Sequence, residues 1–136
     1  MMDINDIQTG FTDGTEPQDQ HLTELLRLAY SGKILCTMAI ADLTVIQPFS
    51  NYQPKISKQY KLYFMQKAQN GMPPSLYVYA KDGKLIMSDD YASFAMYKEL
   101  GLPKVICTVI GDTPEIEGVV YHGTPFVLPL PTVEEL

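Results

Sequence analysis

The residues of this chain best placed to do chemistry stand in one short run, Asp89-Asp90-Tyr91-Ala92-Ser93. With Asp112 as a third acid, Asp89 and Asp90 are candidates to hold a hard cation through oxygen, magnesium or calcium. Two carboxylates at a helix start are also good caps. Capping with a solvated turn is the plainer account, and no metal or other cofactor is assigned. Ser88 and Ser93 have no general base near them in sequence, so a nucleophilic role lacks support. Cys36 and Cys107 lie 71 positions apart in apolar, strand-like text. Neither a CxxC spacing nor a flanking base lowers a thiol pKa there, so both read as small buried hydrophobes. His21 and His122 lack a second ligand at zinc-site spacing. Lys55, Lys58, Lys61 and Lys67 line one helix and its approach, where a solvated face is a plainer reading than a nucleic-acid stripe.

The elements that must position these groups follow from periodicity and punctuation. Residues 1–18 are acidic and without period, and are expected to form a flexible arm. A helix from Asp19 to Tyr30 carries Leu22, Leu25, Leu26 and Ala29 on one face. Lys33 to Ala41 reads as a buried strand, continuing extended to Pro48, with loop from Pro48 to Pro54. Ser57 caps a second helix to Gln69, with Tyr60, Tyr63, Phe64, Ala68 and the stem of Lys67 inward. Ser75–Ala80 and Lys84–Ser88 form a hairpin, because Asp82-Gly83 supplies the positive φ angles of a tight turn. A third helix opens at Ser88 or Asp89 and stops at Gly101, with Ala92, Ala95, Met96 and Leu100 inward. The strand Lys104–Ile110 follows. Residues 112–136 read as an acidic, proline-rich tail packed on or near the domain of residues 19–111, with one short strand at Gly118–His122.

Nine tyrosines and no tryptophan occur, and Tyr52, Tyr91, Phe94 and Tyr97 fall off the expected core faces. Tyrosine offers apolar area and a hydrogen bond at low entropic cost, which suits a contact with another protein. Tyr91, Phe94 and Tyr97 are therefore candidate partner contacts; the alternative is that they widen the core or lie under the tail.

With 136 residues, 46% of them hydrophobic and 19% charged, the chain is of one-domain size and can bury a core. No apolar run is long enough for a membrane span, and the first residues do not read as a secretory signal. The expected compartment is the cytoplasm. The net charge of −6 is segregated: residues 1–20 and 111–136 each hold five acids and no base, while ten bases face six acids between them. An acidic whole argues against tight nucleic-acid binding, which depends on neutralising phosphates.

The order strand, proline-containing loop, helix, hairpin, helix, strand is similar to the ParB/sulfiredoxin-like superfamily. The stretch that carries the resemblance is NGMPPSLYVYAKDGKLIMSDDYASFAMYKELGLPKVICTVIGD, and IADLTVIQPFSNYQPK resembles the family's entry strand and loop. The resemblance covers roughly residues 34–111 and implies an α/β fold, a small mixed sheet with about three helices. It also implies an anion-binding loop, D-G-H-H-R or G-E-R-R, at the start of the third helix. Aligned on Gly101, that loop falls on Asp89, Asp90, Tyr91, Ala92 and Ser93, and only Asp89 matches. Asp90 stands where glycine lets the backbone approach an anion, and Ser93 where arginine neutralises it. The family's catalytic cysteine has no counterpart in the loop. Sulfiredoxin activity and CTP chemistry are thus not expected.

The resulting reading is a non-catalytic binding or regulatory module that contacts an unknown protein partner, with Asp89, Asp90, Tyr91 and Ser93 as a degenerate family loop. A homo-oligomer stays open. The second reading is a nucleotide- or metal-dependent enzyme with a changed site at Asp89 and Asp90. The third, a DNA-associated regulator, lacks a helix-turn-helix segment after the core.

Overall fold

Six strands and three helices make up most of residues 16–129, the part of the chain that the computed structural model describes. The elements are α1 (Gln20–Tyr30), β1 (Cys36–Asp42), β2 (Ile46–Pro48), α2 (Lys58–Gln69), β3 (Leu76–Lys81), β4 (Lys84–Met87), α3 (Tyr91–Glu99), β5 (Lys104–Ile110) and β6 (Val119–Phe126). One mixed sheet runs in the order β2-β4-β3-β5-β1-β6. The pairs β2–β4 and β3–β5 are parallel, and the others are antiparallel. This is the expected α/β class.

Local chemistry explains the boundaries. Asp19 caps α1 and Ser57 caps α2, each side chain accepting a backbone N–H of its helix's first turn. Asp82 and Gly83 both take positive φ, 50° and 78°, and close the β3–β4 hairpin as expected. The extended run after β1 differs from expectation. Leu43–Val45 form a 3-10 turn, and Ile46–Pro48 leave to pair with β4 at the far edge of the sheet.

The C-terminal segment also differs. The short strand expected at residues 118–122 is eight residues long and borders β1. Its entry requires glycine: Gly118 has φ 87°, and a Cβ there would meet the Asp42 carboxylate at 2.6 Å. Beyond β6, Leu128 is buried in one cluster with Leu22 and Ala29 of α1. The arm of residues 1–15 and the last residues, 130–136, lie outside the described residues.

Strand alternation divides the core between the two sheet faces. Leu76, Val78, Leu85, Met87, Val105, Cys107 and Val109 face α2 and α3, where Phe64 and Tyr97 meet edge-to-face at 5.2 Å. Cys36, Tyr79 and Ile110 face α1, against Leu22 and Ala29. On that second face α1 leaves Met38, Ile40 and Val120 exposed. On α2 only Tyr60 and Phe64 are buried. Tyr63 and Lys67, expected inward, are exposed, with the Lys67 ammonium over the Tyr63 ring at 5.8 Å.

Candidate functional site

The run from Ser88 to Ser93 joins the end of β4 to α3, on the face that α2 covers. The helix begins later than either expected start, Ser88 or Asp89: Asp90 is the cap and Tyr91 the first helical residue. The Asp90 carboxylate accepts the Ser93 N–H at 3.0 Å through one oxygen and the Ser93 hydroxyl at 2.6 Å through the other. The Tyr60 hydroxyl joins the same cluster through a short contact with Ser93 Oγ and a hydrogen bond with Asp90. Ser93 is fully buried in this relay, with no side open to a substrate.

Ser88 is likewise occupied. Its buried hydroxyl accepts the Asp19 N–H at 3.1 Å. Asp19 in turn accepts the His21 N–H at 2.9 Å and the Tyr79 hydroxyl. The cap of α1 is thereby fastened to the strand end that carries the candidate loop.

The segment leading into α1 crosses the loop, and Glu16 reaches the start of α3, where its carboxyl takes a hydrogen bond from the Tyr91 N–H. Burial raises the Glu16 pKa to about 7; that hydrogen bond opposes the rise, and repulsion from Asp90 and Asp89 adds to it. Asp90 is raised by burial against the lowering effect of its bonds from Ser93 and Tyr60. Asp89 is raised by the protein packed around it and by Asp90, although its side chain still reaches solvent. Among the described residues no cation is a cause of the shift at any of the three carboxyls. Helix dipole and free N–H groups favour an anion at this position, and the Glu16 carboxyl takes that place from within the chain.

The aromatic residues require a correction. Tyr91 and Tyr97, expected as partner contacts, are 2% and 0% exposed and belong to the core. The Tyr91 hydroxyl accepts from Ser50 at 3.3 Å, and its ring meets Tyr52 edge-on at 5.5 Å. The Tyr97 hydroxyl donates to the Pro74 carbonyl at 2.8 Å and accepts the Ile106 N–H at 3.4 Å, closing the open end of the β3–β5 pairing. Phe94 is partly buried, with the Lys98 ammonium over its ring at 5.3 Å. The buried face of α3 is rotated from the expected one. Ser93 and Tyr97 join Ala92 and Met96, while Ala95 is only partly buried and Leu100 is exposed.

The other candidates are scattered. Asp112 lines a cleft of about 320 Å³ beside α1 with His21, Leu25 and Ile34, on the opposite face of the sheet. No group of three His, Cys, Asp or Glu able to hold a metal forms among the described residues. A larger cleft, about 480 Å³, lies between α1 and the β2-β4-β3 side of the sheet and takes Asp19 but none of residues 89–93. Cys36 and Cys107 are free and buried; burial raises both thiols, Cys107 to about 12. Lys61 pairs with Glu99 at 3.5 Å. No helix among the described residues is long and apolar enough to cross a membrane.

Glu16 is the member of this site that sequence reasoning missed. It lies in a segment without period, far upstream of α3, and no local pattern distinguishes it from the other acids of the arm.

Neither a protein-family model nor a curated protein matches the chain. Among solved structures, sulfiredoxin from Arabidopsis thaliana is similar, with 17% identity, a TM-score of 0.42, and coverage of 55% of this chain and 85% of that one. A likeness at that distance bears on neither activity nor membership, and the α/β class stands on the strand order and helices described above.

Proposed function

We propose that this chain is a non-catalytic binding module whose partner is a protein. One observation carries the reading: the start of α3 is occupied by the chain's own carboxylates, and its hydroxyls are consumed internally. Glu16 takes the Tyr91 N–H, Asp90 takes both Ser93 donors, and Ser88 serves the cap of α1. A nucleotide phosphate approaching this helix end meets three acids. A nucleophilic Ser93 would need both exposure and a base free to accept its proton, and it is buried with that proton already given to Asp90.

With the rings of α3 in the core, the contact face is better sought on α2. There Leu62, Tyr63 and Met65 are 60%, 47% and 40% exposed, and Met65, Ala68 and Leu100 line an apolar groove of about 260 Å³. Exposed apolar side chains grouped in this way suit a protein contact better than a nucleic-acid backbone.

A thermal-shift series with CTP and ATP, each with and without magnesium or calcium, tests the closed loop. A ligand present at 100 times its Kd adds about 2.7 kcal/mol, a rise in Tm of roughly 10 °C for a domain of this size. The expected result is no rise. A saturable rise, with micromolar affinity by titration calorimetry, would replace this reading with the enzyme reading.

A further inference from the structure

The exposed side of α2 combines an apolar stripe with a positive field. Helical spacing sets Lys58, Leu62, Met65 and Gln69 at i, i+4, i+7 and i+11, one row on the side away from the buried Tyr60 and Phe64. Leu62 and Met65 on this row are 60% and 40% exposed. Towards the end of α2, Met65, Ala68 and Gln69 meet Leu100, the C-terminal cap of α3, and enclose the groove of about 260 Å³. The small Ala68 side chain sits between longer neighbours, so the groove has room for an apolar side chain from outside.

Charge narrows what that side chain belongs to. The sequence of α2, KQYKLYFMQKAQ, holds three lysines and no acid, in a chain whose net charge is −6. Lys58 heads the row, Lys61 flanks it on the side of α3, and Lys67 lies on the other flank with Tyr63. Lys61 pairs with Glu99, but both side chains are about half exposed, 42% and 52%, so the pair is weak and exchangeable. Among the described residues Lys58 and Lys67 have no ion pair. A second copy of the chain would bring the same lysines against these, and like charges across a contact oppose it. A phosphate backbone would match the lysines but leave the apolar row without a counterpart. The backbone of α2 is closed by its own hydrogen bonds, so recognition here runs through side chains alone. That is how a helix lies in a groove, not how a strand extends a sheet.

Granted that the partner is a protein, we infer that α2 docks an amphipathic helix with an acidic rim. The apolar face of that helix lies along Leu62 and Met65, with one side chain seated over Ala68 against Leu100. Its carboxylates meet Lys58, Lys61 and Lys67.

The probe is a synthetic helix of about 15 residues, with leucines at i, i+3, i+4 and i+7 and glutamates on both flanks. Titrated into the isotope-labelled full chain up to about 1 mM, it should bind saturably and shift the amide signals of α2 and Leu100, leaving those of α1 unmoved. Lys58→Glu together with Lys67→Glu should weaken binding at least about tenfold and confer binding of the same peptide with lysine in place of each glutamate. Leu62→Gln should weaken binding with Tm unchanged, because Leu62 is exposed in the single chain. A wild-type chain that does not bind the acidic peptide overturns the inference, whether residues 1–15 occupy the groove or nothing does. Binding that the charge reversal leaves unchanged, or tighter binding to phosphatidylserine vesicles than to the peptide, also overturns it. Failure on the peptide leaves a protein partner to be sought on another face; a nucleotide-dependent rise in Tm would instead remove the protein-contact reading itself.

Discussion

Replacing Glu16 with Gln tests the closed loop at its least obvious member. The carboxyl rises from 4.5 to about 7 on folding, so the folded chain holds this proton more tightly than the unfolded one. Stability from this group is complete below about pH 4.5 and is lost as pH rises through about 7. A shift of this size corresponds to roughly 3 kcal/mol for a fully desolvated group. Glu16 is only partly buried and keeps part of its water, so a realistic effect is about 1–1.5 kcal/mol. Glutamine keeps an acceptor for the Tyr91 N–H and removes the charge that Asp89 and Asp90 repel. At pH 8 Glu16→Gln should raise Tm by roughly 3–6 °C; at pH 4.5 it should change little. Thermal melts followed by circular dichroism across pH 4–8.5 provide the assay. A variant less stable than wild type at pH 8 would refute the reasoning. It would mean that the helix end stabilises the charged carboxylate more than burial and its two neighbours oppose it.

Two other outcomes follow from the same packing. Tyr91→Ala should cost about 3–5 kcal/mol, since it empties a fully enclosed ring site; a melting temperature within about 2 °C of wild type would return Tyr91 to the surface. Cys36 and Cys107 should resist a thiol reagent in the native protein and both react in guanidinium, because the burial that raises their pKa also blocks access. Rapid native labelling of either, read by mass spectrometry, would contradict their placement.

What could be read from the sequence is what local chemistry decides. Ser57 and Asp19 mark helix starts because their side chains take the free N–H groups there, and Asp82-Gly83 marks the hairpin because it tolerates positive φ. The strand Lys104–Ile110 coincides with its reading because a run of β-branched residues buried on both faces has few alternatives. The β2 strand was not legible. Three residues have no period, and their pairing with β4 depends on where the rest of the sheet lies. On α3 nearly every residue is small, apolar or aromatic, so periodicity alone could not choose the inward face. That ambiguity made core rings look like surface anchors. The acids at the start of α3 were legible as caps, although the helix begins two or three residues later than expected, and the contribution of Glu16 depends on a chain crossing that no local pattern encodes.

The position of β1, with a neighbour on each side in the sheet, has a consequence for biosynthesis. Both of its neighbours come from the C-terminal third of the chain: β5 begins at Lys104 and β6 at Val119. During synthesis, at about 5–20 residues per second, β1 is made early and then waits with both hydrogen-bonding edges open. The hairpin of β3 and β4 can close meanwhile and take β2 along the β4 edge, but nothing joins it to β1 until β5 emerges between them. Stable assembly is thus deferred until β5 and β6 have been made, and an exposed apolar strand must be kept from other chains until then. Two open edges on a nascent strand are the kind of surface that chaperones shield.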